Sequence, residues 1–147
     1  MPPLMNRIEI DRPPDEVFAY ASDPLRFHEW QLDVVSVQFE GEGRPTVGSR
    51  FTTTRRIGRS QRTMTQEITE IDPPRRWAAH GVEGPIRPDA SISIESLGDG
   101  TRSRVTFELD FEGHGFGIVL VPVVRQIAAK GAPRSHHRLK ELLEARN

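Results

Sequence analysis

Five histidines, a surplus of arginines and one glutamine set among apolar residues are the side chains of this sequence with chemistry to offer. The histidines lack the spacing of a metal site. His136 and His137 are neighbours on a segment of helical period and so point about 100° apart, while His28, His80 and His114 fall on separate elements. The absence of cysteine removes disulfides, thiolate ligands, iron–sulfur clusters and cysteine nucleophiles together. No Ser-His-Asp order or nucleophile elbow occurs. Gly113-His114-Gly115-Phe116-Gly117 has the glycines of a phosphate loop without the Lys-Ser/Thr that should follow, and reads as a turn. Neither a metal nor a cofactor is expected.

Gln66 stands between Met64 and Ile68 on what alternation makes an inward face. A buried amide needs a partner, because leaving it unsatisfied costs roughly 1 to 3 kcal/mol. That partner is a neighbouring side chain, a water or a ligand. Arg55, in phase with Phe51 and Thr53, poses the same choice between a structural contact and a ligand anion. His80 is out of phase with Trp77 and Ala79 and falls outside unless a bulge intervenes. His28, beside Trp30, belongs either to the rim of an entrance or to plain surface.

The elements that must position these residues follow from pattern. Leu4 to Ile10 reads as a strand, and Pro14-Asp15-Glu16 suits a helix start, with Val17, Phe18, Tyr20 and Ala21 on one side. Ser22-Asp23-Pro24 breaks that helix, and Leu25 to Trp30 reads as a second short one. From Val34 to Phe111 six strands are separated by turn signals such as Gly41-Glu42-Gly43, Gly58-Arg59-Ser60 and Gly98-Asp99-Gly100. Val105, Phe107, Leu109 and Phe111 alternate with polar residues, as in an antiparallel sheet with one buried face. After Gly117 the period is helical, with an expected apolar stripe of Leu120, Val123, Val124 and Ile127 resuming at Leu139, Leu142 and Leu143. Gly131-Ala132-Pro133 is expected to interrupt or kink this helix, either as a static bend or as a gate.

Leu, Ile, Val and Phe make up 37 of the 147 residues, enough for a core, and the length suits a single domain over residues 1–147. A formal charge of −1 gives no global pull toward nucleic acid or anionic membrane. Arg50 to Arg76 holds seven arginines but lacks the interleaved aromatics of a base-stacking platform. No nucleic-acid partner is expected. The longest apolar run, Phe116 to Val124, is nine residues, far short of the roughly 20 needed to span a bilayer. With no signal-like N-terminus, a cytoplasmic location is expected, as a monomer or homodimer.

Several segments in order carry a resemblance: Pro14-Asp15-Glu16-Val17-Phe18, Asp23-Pro24 followed by Trp30, Val47-Gly48-Ser49-Arg50-Phe51, Ile68-Thr69-Glu70-Ile71-Asp72-Pro73-Pro74, Gly100-Thr101-Arg102-Ser103-Arg104-Val105, and Leu139-Lys140-Glu141-Leu142-Leu143-Glu144. With the element order, they make the chain similar to the START-like (SRPBCC) superfamily, specifically its polyketide cyclase/dehydrase and lipid-transport group. The resemblance implies an α+β helix-grip fold: a seven-stranded curved antiparallel sheet, two short helices after the first strand and a long C-terminal helix. It also implies an apolar cavity between sheet and helix for a small hydrophobic ligand. His28 stands where relatives often carry proline, so the mouth is expected to differ.

The residues expected to line that cavity are Trp30, Phe51, Met64, Gln66, Trp77, Ile92, Phe107, Phe111, Leu120, Val123 and Ile127, with Trp30, Trp77, Phe107 and Leu120 sharing one interior. The function expected is binding of a lipid-, aromatic- or polyketide-like molecule. The alternatives are a cyclase or dehydratase in which Gln66, Arg55 or His80 polarises a carbonyl or moves a proton, and a chaperone-type interaction module.

Overall fold

The alternation that ends at Phe111 becomes the last strand of one continuous sheet. In the computed structural model, which describes residues 2–146, the elements are β1 (Leu4–Ile10), α1 (Pro14–Ala21), a 3-10 turn (Pro24–Arg26), α2 (Phe27–Trp30), β2 (Val34–Phe39), β3 (Arg50–Ile57), β4 (Ser60–Asp72), β5 (Arg76–Glu83), β6 (Ile86–Leu97), β7 (Arg102–Gly113) and α3 (Gly117–Glu144). Met1 and Asn147, the ends of the expected 1–147 domain, lie outside the described residues. The seven strands are antiparallel in the order β1-β7-β6-β5-β4-β3-β2. β1 therefore closes against the last strand, which places the N-terminal residues beneath α3.

Period-2 alternation sorts the faces. Val105 and Phe107 on β7, Trp77 and Ala79 on β5, and Ile92 and Ile94 on β6 are buried on the side that α1, α2 and α3 cover. Register puts Phe107 opposite both Asn6 and Ile92, and Trp77 opposite Ile92. Met64, Gln66 and Ile68 are buried as alternation requires, and Thr65 between them is buried as well. β4 is irregular there, shifting register against β5 between Thr65 and Gln66. Under α2, Phe27 meets Trp30, Phe51 and Trp77 edge-on, at centroid distances of 5.7 to 5.9 Å.

Two expectations about α3 are corrected. The helix is not interrupted at Gly131-Ala132-Pro133 but runs unbroken from Gly117 to Glu144, through Pro122 as well as Pro133. Pro133 forfeits one bond to the carbonyl of Ala129, an exposed residue whose oxygen water can satisfy. Tertiary contacts hold the second half: Ser135 Oγ accepts from Leu32 N–H at 3.0 Å, and Leu139 and Leu143 are fully buried.

The inward stripe is also different. Val124 is buried, but Val123 is 55% exposed and Ile127 39% exposed, and the buried face continues through Ser135, His136, Leu139 and Leu143. Leu120 does not join Trp30, Trp77 and Phe107; it packs with Met64, Ile86 and Val124 in a separate small cluster. Residues 116–124 are apolar on every side of the helix, so hydrophobicity did not single out a phase. The phase is set at the helix start, where a Cβ on Gly117 would lie 1.8 Å from the Pro85 carbonyl oxygen.

Candidate functional site

Where the small residues Ala128, Ala129, Gly131 and Ala132 replace bulky ones on α3, helix and sheet are held apart around a cavity of about 550 Å³. Its sheet-side walls include Met64 and Gln66 of β4, Trp77 of β5, Pro88, Ala90, Ser91 and Ile92 of β6, and Phe107 and Phe111 of β7. Phe27 and Trp30 close one end, and Val124 to His136 form the helical wall. Of the expected lining residues, Trp30, Met64, Gln66, Trp77, Ile92, Phe107, Phe111 and Ile127 lie on this cavity.

Phe51, Leu120 and Val123 do not. Phe51 points to the same face but is sealed behind Phe27 and Trp77. Leu120 and Val123 flank a smaller hollow with Ile57, Arg62 and Ile86. Both displacements come from the rotated phase of α3 and from α2, which fills the space above Phe51.

Polar groups are few. Gln66 is buried in the wall and its amide has no hydrogen-bond partner among the described residues. The indole Nε1 atoms of Trp30 and Trp77 are likewise buried without a partner. Arg55 lies at the edge of the cavity already engaged: its guanidinium donates to both Asp33 carboxylate oxygens at 3.0 and 3.2 Å and to Gln31 Oε1 at 2.6 Å. That fork–carboxylate pair neutralises its charge and ties β3 to the segment after α2. Arg55 itself is therefore not free for a ligand anion. His80 is on the outer face, with Nδ1 3.9 Å from Asp89, and His28 is exposed; neither reaches the cavity.

Sequence reasoning missed the most developed polar feature. His136 of α3 is 8% exposed and lines the cavity beside Asn6 of β1, whose Nδ2 is 2.7 Å from the imidazole Nδ1. The imidazole is stacked on Phe107 with centroids 3.6 Å apart. Burial disfavours the imidazolium and pushes the pKa down to about 4. The signal was present: His136 is three residues before Leu139 and seven before Leu143, on the same stripe, and Asn6 alternates in phase with Ile8 and Ile10.

Among the described residues no three His, Asp or Glu side chains gather as a metal site, and no helix is long and apolar enough to cross a membrane. No curated protein matches the chain. Solved structures share the architecture at low identity. A START superfamily protein from Mycobacterium smegmatis is 14% identical with a TM-score of 0.79, over 98% of both chains. The ZhuI aromatase/cyclase from Streptomyces sp. R1128 is 14% identical with a TM-score of 0.78, over 97% of this chain and 93% of that one. The di-domain ARO/CYC BexL from the BE-7585A biosynthetic pathway is 16% identical with a TM-score of 0.72, over 96% of this chain. This chain spans 46%, about half, of that di-domain protein. The likeness fixes the fold as helix-grip, and the model described as polyketide cyclase/dehydrase and lipid transport matches residues 4–144. A curved sheet closing on one long helix, with a cavity where the two part, is thus the form taken here by a member of the polyketide cyclase/dehydrase and lipid transport family.

Proposed function

We propose that this protein, as a single domain, binds a small hydrophobic molecule of lipid-, aromatic- or polyketide-like character between the sheet and α3. The observation that carries this reading is the cavity: about 550 Å³, within the range that encloses small ligands. Its walls are mostly apolar and aromatic, with Trp30, Met64, Gln66, Trp77, Ile92, Phe107, Phe111 and Ile127 as the proposed contacts. A molecule leaving water for such walls gains roughly 25 cal/mol per Å² of apolar surface buried.

A carrier is favoured over a cyclase or dehydratase because two of the expected catalytic groups are misplaced for it. Arg55 is bound to Asp33, and His80 is on the outer face. Nucleic acid is disfavoured because the formal charge is −1 and four of the seven arginines between 50 and 76, namely Arg50, Arg55, Arg75 and Arg76, pair with Glu67, Asp33, Asp72 and Glu70.

The test is native mass spectrometry of the purified protein for a co-purifying small molecule, together with titration by the neutral probe N-phenyl-1-naphthylamine. Saturable one-site binding that raises the melting temperature is expected. No co-purifying molecule and no saturable binding would reject the reading and favour a chaperone-type interaction module.

A further inference from the structure

We propose that Asn6 and His136 together set a fixed hydrogen-bond donor, the His136 Nε2–H, in the cavity wall, and that this donor selects ligands carrying an accepting oxygen over hydrocarbons of the same shape. The proposal rests on the binding reading above and deepens it by naming the residue that discriminates.

The hydrogens available at the Asn6–His136 contact decide the tautomer. Asn6 Nδ2, 2.7 Å from His136 Nδ1, has only hydrogens to offer, so Nδ1 accepts through its lone pair. A neutral imidazole has one ring proton, and with Nδ1 accepting it must sit on Nε2. Burial keeps the ring neutral near pH 7, the pKa standing at about 4. The ring cannot turn freely, because it is held in plane by the Phe107 stack, 8° from parallel, and in rotation by Asn6.

Nε2 itself has no protein partner among the described residues, nor is it one of the sealed polar atoms such as Trp30 Nε1. His136 lines the cavity, so a molecule bound there is what meets this proton. A carbonyl, ether or hydroxyl oxygen satisfies it; an alkyl group leaves a dehydrated donor unpaired. His136 is the discriminating residue, and Asn6 is a positioning residue that acts through the tautomer.

Two experiments test this. The first needs no ligand: ¹⁵N NMR of the histidine side chains in the unmodified protein should give the Nε2–H tautomer for His136, and Asn6→Leu should let the two tautomers mix. The second compares 2-acetonaphthone with 2-isopropenylnaphthalene, which has the same outline and no oxygen, by isothermal titration calorimetry. The ratio of the two dissociation constants should move about five- to ten-fold toward the hydrocarbon in His136→Phe, and by a smaller factor in Asn6→Leu. An Nδ1–H tautomer, or a ratio unchanged in His136→Phe, overturns this proposal and leaves the binding reading standing. Failure of both probes to bind the unmodified protein overturns the two together.

Discussion

The His136 imidazole lies flat on the Phe107 ring, centroids 3.6 Å apart and planes 8° from parallel. The stack joins α3 to β7, the strand next to the β1 edge of the sheet, beside a stretch where the cavity holds helix and sheet apart. Phe107 is opposite Asn6 in the β1–β7 register, so the same pair of strands supplies both the ring under the imidazole and the amide at its edge. One face of the histidine is thereby screened from water, which is why its charged form is disfavoured.

This makes stability pH-dependent with a definite sign. The His136 pKa is lowered from 6.5 to about 4 on folding, so between those values the unfolded chain binds the extra proton. Its contribution is fully present above about pH 6.5 and is lost as pH falls toward 4, on the order of 2 to 3 kcal/mol. Urea unfolding at pH 7.5 and 4.5 should show this loss in the unmodified protein and much less of it in His136→Phe. Equal pH dependence in both proteins would contradict the assignment.

Ile92 lies on the cavity wall between Trp77 and Phe107 in register. Ile92→Trp should place the larger side chain partly in open space, destabilising by about 1 to 3 kcal/mol. It should weaken N-phenyl-1-naphthylamine binding at least tenfold. Unchanged affinity in a folded Ile92→Trp protein would put the binding site elsewhere.

The Arg55–Asp33 pair should be worth little by itself and more through what it leaves behind. Asp33 is 44% exposed and Arg55 20% exposed at the side chain. A double-mutant cycle of Arg55→Ala and Asp33→Ala, read by chemical denaturation, should give a coupling of about 1 kcal/mol or less. Asp33→Ala should be the more harmful single change, since it strands the less exposed charge. A coupling several times larger would mean that the pair is the principal clasp between β3 and the segment after α2.

Two glycines on α3 should respond in opposite directions. Gly117→Ala places a Cβ 1.8 Å from the Pro85 carbonyl oxygen and should destabilise severely, because backbone has to move. Gly131→Ala meets nothing within 4 Å and should stabilise the helix by up to about 1 kcal/mol. Thermal unfolding of the two variants checks both. A destabilised Gly131→Ala would instead favour a hinge at that position.

Element order and the inward faces of the strands were legible in the sequence, because Val105 and Phe107, or Trp77 and Ala79, obey a period of 2 that follows from backbone geometry alone. The same rule placed Gln66 inside and His80 outside. The phase of α3 was not legible. Apolar residues surround the helix from Phe116 to Val124, and its rotation is set by a backbone contact, Gly117 against Pro85, between segments 32 residues apart. The polar corner of the cavity was hidden for a related reason. Asn6 and His136 are 130 residues apart and meet only because β1 pairs with β7 under the last helix. A sequence specifies which face each element buries; which polar side chains share one cavity depends on distances that exist only after the sheet has closed on α3.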